Sequence, residues 1–214
     1  MDEDPSLKDP SLKDIALNES SAVRDYYDRW TASYEDDVAS WGYDAPTVAV
    51  DFLAELVDTD AQILDAGCGT GLVGRALKAK GFHDVVGVDL SPESLDLAAK
   101  TQAYRALNEI DFTDLPTPLV EGSFEALVSV GVLSYLTDVE AVMREFSRVV
   151  APSGTIIVTE RTDLFEERNT AAMFEALEAD DTWQIHTISQ PMPYLPHLAE
   201  WESIDVRFGV FKRQ

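Results

Sequence analysis

The sequence predicts an α/β protein built around a mostly parallel sheet with helices on both faces. From residue 62 onward, short apolar runs alternate with segments of helical periodicity, which is the pattern of a doubly wound sheet. The run at 126–130 is apolar except for Ser129, as expected for a strand that is buried on both faces. The seven predicted strands are 63–65, 85–88, 105–110, 126–130, 155–159, 183–189 and 204–212.

The first strand leads directly into a glycine-rich turn, ILDAGCGTGLVG at residues 63–74. The strand ends in Asp65, three glycines follow at alternate positions, and helical periodicity then begins. Glycines accept positive φ and allow a ligand to approach the backbone, and the helix that follows presents unpaired N–H groups at its start. The second strand ends in Asp89, whose carboxylate can accept both hydroxyls of a ribose. Together these features predict a nucleoside-binding crevice at the carboxyl ends of parallel strands.

The glycine pattern alone leaves two nucleosides open. Residues 69–74 formally fit the G-x-G-x-x-G pattern of dinucleotide sites. However, the strand already ends at Asp65, and Gly67 precedes the formal pattern, so the register is displaced from that of a dinucleotide site. A carboxylate at this point opposes phosphates and suits a cationic amino group, which S-adenosylmethionine (SAM) carries. SAM is therefore the predicted ligand, and NAD is the alternative.

Four motifs in order carry a resemblance to a known family: LDAGCGTG at 64–71, GVDLS at 87–91, DFTDLP at 111–116 and GSFEALVSVGVL at 122–133. In this order and spacing they resemble the class I SAM-dependent methyltransferases, from about residue 26 to 154. The pieces YYDRW, ASYEDDVASWGYDAP and VGVLSYLTDVE are most similar to the Williams-Beuren syndrome chromosome region methyltransferase-like family. The resemblance implies a Rossmann-like seven-stranded sheet with an antiparallel C-terminal strand, an N-terminal helical lid, SAM as methyl donor and S-adenosylhomocysteine (SAH) as product.

The resemblance also implies which residues bind the cofactor. The turn would hold the methionine part, Asp89 the ribose, and the residues after the later strands the adenine. Three aromatic residues on one face of a helix near 21–40 would close over the cofactor, although plain packing of an amphipathic helix is the alternative. Asp111 would accept from the adenine amino group, or serve only as a turn residue. The predicted cofactor residues are Tyr27, Trp30, Tyr34, Asp65, Gly67, Cys68, Gly69, Gly71, Asp89, Leu90, Asp111, Phe112 and Val130.

No general base is evident in the sequence. Methyl transfer from a sulfonium needs mainly correct positioning, and a base only when the acceptor must first lose a proton. His186, His197 and Glu160 are the candidates, because they lie in the C-terminal part where the acceptor should bind; each has a surface or packing role as its alternative. The chain has neither H-E-x-x-H nor a cysteine cluster, so no metal site is predicted.

The composition limits which kinds of partner and compartment we expect for this protein. The net charge of −24 repels phosphate backbones, so we expect a small-molecule acceptor and no nucleic acid. The single cysteine, Cys68, indicates a reducing compartment. The longest apolar run, 126–136, is too short to span a bilayer, so we expect a cytoplasmic protein without membrane partners, as a monomer or homodimer.

The 214 residues fit a single domain with four segments. Residues 1–20, with the repeated DPSLKD, predict a disordered or loosely docked acidic tail. Residues 21–60 form the predicted lid, 61–160 the SAM-binding core, and 161–214 a helix and a β-hairpin that complete the sheet and the acceptor pocket. The predicted function is methyl transfer from SAM. The alternative is a SAM-binding sensor or partner subunit without turnover.

Overall fold

The computed structural model describes residues 22–25, 30 and 34–214. The helices are α1 (Tyr34–Ser40), α2 (Ala45–Ala54), α3 (Leu72–Ala79), α4 (Pro92–Lys100), α5 (Val139–Val149), α6 (Thr162–Glu167) and α7 (Thr170–Ala179). The strands are β1 (Ile63–Ala66), β2 (Val85–Asp89), β3 (Ala106–Glu109), β4 (Phe124–Ser129), β5 (Val150–Arg161), β6 (Trp183–Ile188), β7 (Met192–Pro193) and β8 (Asp205–Arg213). Short 3-10 helices span Leu133–Tyr135 and Ala199–Trp201.

The eight strands form one sheet, in the order β3-β2-β1-β4-β5-β8-β6, with β7 paired to β8 off this path. Strands β1 to β5 pair in parallel, whereas β8 is antiparallel to both β5 and β6. The predicted α/β class, its mostly parallel sheet and its antiparallel C-terminal strand are therefore confirmed. The predicted count of seven strands misses β7, because a two-residue strand that contains a proline carries no recognisable alternation.

The strand order reverses at β1, which has β2 on one side and β4 on the other. Beyond β1 the chain stays attached to β2, since the amides of Gly67 and Cys68 both donate to the carbonyl of Val88, at 2.8 and 2.9 Å. In open α/β sheets the crevice outside the strand ends at such a reversal is where ligands bind. The fold thus places the glycine-rich turn at this crevice.

Three apolar clusters surround the sheet. One contains Met143 and Phe146 from α5 with Phe174 from α7, and a second contains Leu53 from α2 with Leu77 from α3. The third cluster joins buried residues before and within α1 to the segment around β7, and consists of Trp30, Val38, Leu195, Trp201 and Ile204. This third cluster fixes α1 against the C-terminal segment, above the strand ends.

The C-terminal segment holds two helices where the sequence predicted one. Asn169, in the left-handed region with φ of 52°, separates the six-residue α6 from α7. A helix of six residues is too short for its periodicity to be recognised. No helix in the part of the chain that the structure describes combines the length and the apolar composition that crossing a membrane requires.

Candidate functional site

A cavity lies at the carboxyl ends of β1, β2 and β4, beneath α1. Its walls come from the glycine-rich turn, from the segments that follow β2, β3 and β4, and from aromatic residues of α1, of the turn after α1 and of the segment following β7. Eight of the predicted cofactor residues lie on its wall: Tyr34, Gly67, Gly69, Asp89, Leu90, Asp111, Phe112 and Val130. Sequence reasoning missed Arg24, which lines the same cavity and pairs with Glu109 at 2.6 Å.

Two glycines of the turn are required by its geometry. Gly67 has φ of +78°, and a Cβ there would lie 2.2 Å from Cγ2 of Val132. Gly69 has φ of +49°, and a Cβ there would meet no protein atom within 4 Å. The turn therefore packs tightly against the segment after β4 on one side, while at Gly69 it leaves open space in which a ligand can approach the backbone.

The Asp89 carboxylate is held in place by two backbone amides. Its Oδ2 accepts from the amide of Gly69 at 2.8 Å, and its Oδ1 accepts from the amide of Ser91 at 3.0 Å. A carboxylate oxygen has two lone pairs and can accept more than one hydrogen bond. Asp89 thus links the glycine-rich turn to the start of α4 and presents a carboxylate to the cavity.

The segments after β2, β3 and β4 form one side of the cavity, here called the far wall, which combines a polar turn with apolar side chains. Oδ1 of Asp111 accepts from both the amide and the hydroxyl of Thr113, each at 2.8 Å, so Asp111 is a turn residue and also a cavity residue. Phe112 is buried, and its ring packs edge-on against Phe146 with 5.2 Å between centroids. Leu90 and Val130 complete this apolar side.

Asp65 lies beneath the turn and does not contribute to the cavity wall. It is fully buried, and its Oδ2 accepts from the Tyr104 hydroxyl at 2.7 Å. Its Oδ1 has no hydrogen-bond partner among the residues that the structure describes. Burial raises the pKa of Asp65 to about 7, against the lowering effect of the Tyr104 hydrogen bond and with a smaller raising effect from Asp89.

Two other predicted turn residues also lie behind the cavity wall. Cys68 is buried, its Sγ lies 3.8 Å from the carbonyl of Gly69, and burial raises the pKa of its thiol. Cys68 is therefore a neutral, small residue rather than a nucleophile. Gly71 is the N-cap of α3, with φ of +98°.

The three aromatic residues predicted for a lid have different positions. Tyr34 lines the cavity. Trp30 does not; it is buried behind Tyr34, with 4.7 Å between ring centroids, and its Nε1 donates to Oδ2 of Asp37 at 2.8 Å. Its position in the third apolar cluster matches the packing alternative for this residue. Tyr27 lies outside the described residues.

A set of tyrosines, here called the tyrosine wall, closes the other end of the cavity: Tyr34, Tyr43, Tyr135 and Tyr194. The rings of Tyr43 and Tyr194 meet edge-on, with centroids 5.5 Å apart. Burial raises the phenol pKa of Tyr34, Tyr43 and Tyr194, so these hydroxyls are neutral. The sequence prediction of cofactor residues missed Tyr135 and Tyr194. Tyr194 lies in segment 190–200, whose three prolines are typical of a loop and made it a candidate wall of the acceptor pocket.

None of the three candidate bases lies on the cavity wall. His186 is exposed on β6, at the edge of the sheet. His197 is exposed as well, with Nδ1 3.3 Å from the carbonyl of Ser40. Glu160 is buried, and it accepts from Arg168 at 2.8 Å and from Thr170 at 2.6 Å. The predicted catalytic role of these residues thus lacks the geometry it needs, since Glu160 on β5, His186 on β6 and His197 after β7 all lie off the cavity wall.

Comparison with known proteins identifies the family. Residues 64–158 match a family described as a methyltransferase domain. Methyltransferase-like protein 27 from Homo sapiens is 36% identical over 167 residues, which cover 74% of this chain and 67% of that protein. The chain belongs to the class I SAM-dependent methyltransferases.

Solved structures of this methyltransferase fold superpose on most of the chain. The [4+2]-cyclase SpnF covers 91% of this chain and 96% of its own, with a TM-score of 0.67 at 17% identity. A TehB-like SAM-dependent methyltransferase from Corynebacterium glutamicum covers 88% and 98%, with a TM-score of 0.65 at 22% identity. At these identities the likeness concerns the fold alone.

The cavity of this methyltransferase suits SAM, the cofactor of its family. The open space at Gly69 accommodates a ligand against the backbone, and the carboxylate of Asp89 offers acceptors for hydroxyls. Apolar side chains on the far wall provide a surface for a flat aromatic ring. Within the described residues, no group of three or more His, Cys, Asp or Glu side chains is arranged to hold a metal ion.

Proposed function

We propose that this methyltransferase transfers a methyl group from SAM to a small molecule bound against the tyrosine wall. The observation that carries the proposal is a single cavity that joins the Asp89 carboxylate at one end to the tyrosine wall at the other. When bound, SAM supplies a methyl group that its sulfonium already activates for in-line displacement. The protein's contribution is then to hold two ligands in line and to exclude water.

The cofactor half of the cavity is proposed as follows. Asp89 accepts from the ribose hydroxyls, while the turn at Gly67 and Gly69 holds the methionine part against its backbone. The adenine lies between Leu90, Phe112 and Val130, with Asp111 near its amino group. This assignment is supported by the position of these residues around one cavity, and by the two amides that fix the Asp89 carboxylate.

The acceptor half is proposed to lie at the tyrosine wall. Its phenols can donate and accept hydrogen bonds, but their raised pKa makes them poor bases at neutral pH. Among the described residues, no histidine lines the cavity. We therefore expect an acceptor whose nucleophilic atom already carries a usable lone pair at neutral pH, such as a carboxylate or a weakly basic aromatic amine, and which the wall only positions.

The proposal also covers the roles of the chain segments, the class of acceptor, the location and the oligomeric state. We propose that the described part of residues 21–60 acts as a lid over the 61–160 core, and that 161–214 complete the acceptor pocket; the tail predicted for 1–20 lies outside the described residues. The net charge of −24 supports a small molecule over a nucleic acid. A cytoplasmic location, a monomer or homodimer, and kinship with the Williams-Beuren syndrome chromosome region methyltransferase-like family belong to the same proposal.

An acceptor panel of amines, carboxylic acids, phenols and thiols tests the proposal by following SAH release. With an acceptor found, Tyr43→Phe and Tyr194→Phe should raise its KM while the Kd for SAH stays unchanged. His186→Gln is the control, because this side chain is exposed on β6 and should leave turnover intact. Tight SAH binding without turnover on the whole panel would contradict methyl transfer and favour the sensor alternative.

A further inference from the structure

The glycine-rich turn is joined at both ends to one side chain from a distant loop. Tyr104 lies between α4 and β3, and its hydroxyl donates to Oδ2 of Asp65 at 2.7 Å. The same hydroxyl accepts from the amide of Gly74 at 3.1 Å. Asp65 is the last but one residue of β1, and Gly74 lies in the first turn of α3. The turn between them is therefore bracketed by a single hydroxyl group.

The Tyr104 hydroxyl serves as an N-terminal cap for α3. The first amides of a helix lack intrahelical partners, and a side chain at the N-cap usually accepts from one of them. The N-cap of α3 is Gly71, which has no side chain, and α3 has no side-chain cap hydrogen bond at that position. Tyr104 supplies the missing acceptor from 30 residues away.

The backbone around Tyr104 is shaped to admit its ring. A Cβ on Gly74 would lie 2.3 Å from Cζ of Tyr104, and a Cβ on Gly87 would lie 2.9 Å from the same ring. Both contacts are closer than real Cβ atoms make. The glycines of α3 and β2 thus leave a slot, and the tyrosine occupies it.

We propose that Tyr104 is a positioning residue of the cofactor site, whose hydroxyl holds the glycine-rich turn in shape by joining Asp65 to the amide of Gly74. The inference rests on the proposed role of this turn in binding the methionine part of SAM. It adds a residue that does not line the cavity and acts through the turn.

A pH dependence follows from the surroundings of Asp65. The titratable groups that act on it are Tyr104, Asp89 and Cys68, and its pKa of about 7 results from burial against the Tyr104 hydrogen bond. The carboxylate form attracts the ammonium group of SAH, so we expect affinity for SAH to rise as the pH increases through about 7. Loss of the Tyr104 hydroxyl removes a hydrogen bond that favours the carboxylate, which should move this midpoint to higher pH.

Tyr104→Phe tests the inference, because it keeps the ring and removes only the hydroxyl. Thr170→Val is the matched control, since Thr170, on α7, also donates to a buried carboxylate, that of Glu160 on β5 at 2.6 Å. Calorimetric titration with SAH between pH 6 and 8.5 should give an about tenfold higher Kd at pH 7 for Tyr104→Phe, or about 1.4 kcal/mol, and an upward shift of its midpoint. The control should match the wild type in both.

Two further readouts separate positioning from general loosening. In the protein without ligand, hydrogen exchange at the Gly74 amide should accelerate in Tyr104→Phe but not in Thr170→Val. Asp65→Asn should flatten the pH profile of SAH affinity, because it removes the titrating group while keeping an acceptor for Tyr104.

Equal Kd values and equal midpoints for wild type and Tyr104→Phe would overturn the inference. These titrations need no acceptor, so their outcome is independent of methyl transfer: a protein that binds SAH but methylates nothing would contradict the proposed function only.

Discussion

Replacing Asp89 by asparagine tests the cofactor half of the site with a minimal change of shape. Each carboxylate oxygen accepts from a backbone amide, Oδ2 from Gly69 at 2.8 Å and Oδ1 from Ser91 at 3.0 Å. Asparagine has one oxygen and one NH2 group, so in either orientation its NH2 faces an amide that also donates. One of the two anchoring bonds is therefore lost, together with the negative charge offered to the ribose hydroxyls.

The size of the effect follows from these bonds. A hydrogen bond to a charged group contributes about 1.5 to 3 kcal/mol. Loss of one such interaction in the complex corresponds to a Kd for SAH about 10 to 100 times higher. The melting temperature of the protein without ligand reports separately on any damage to the fold.

Isothermal titration with SAH measures this change directly. Asp96→Asn is the matched control, because Asp96 is exposed on α4 and its replacement alters the net charge by the same amount. We expect the control to bind like the wild type. If Asp89→Asn also binds SAH within about twofold of the wild type while folding normally, Asp89 does not hold the ribose, and the assignment fails.

Two more predictions concern the turn and the core. Gly67→Ala should abolish SAH binding in titration, because the added Cβ would lie 2.2 Å from Cγ2 of Val132. Gly122→Ala is the control: Gly122 also has a positive φ, of +62°, but a Cβ there would lie 3.7 Å or more from its neighbours, so this variant should bind SAH normally. Burial raises the pKa of Glu145, but hydrogen bonds, chiefly from Arg148, outweigh this and leave it below its usual value. Glu145→Gln should therefore lower the free energy of unfolding in urea by about 1 to 3 kcal/mol at pH 7. That difference should shrink as the pH falls below about 4, where wild-type Glu145 is protonated too; a pH-independent difference would refute the linkage.

The sheet and the glycine-rich turn could be predicted because their signals are local. The buried central strands β1, β2 and β4 are rich in apolar residues, and the turn needs glycine where φ is positive and where Val132 packs close. The place of Asp89 at the end of β2 follows from the same strand pattern. Its role in binding the ribose stays a prediction.

The site residues that the sequence did not predict correctly depend on contacts between residues that lie far apart in the chain. Tyr104 reaches Asp65 across 39 residues, so nothing near it in sequence reveals its role. His186 follows the strand pattern correctly, yet β6 lies at the far edge of the sheet, away from the cavity. Trp30 and Tyr34 share a predicted helix face, but periodicity alone does not say which ring packs in the core and which lines the cavity.

Titration of the purified protein with SAH, and then with NAD, tests the central claim most directly. We expect binding of SAH in the micromolar range and no binding of NAD, because Asp65 and the displaced glycine register oppose a pyrophosphate. Binding of NAD alone would contradict the cofactor assignment, and binding of neither would contradict the proposal that this cavity serves methyl transfer.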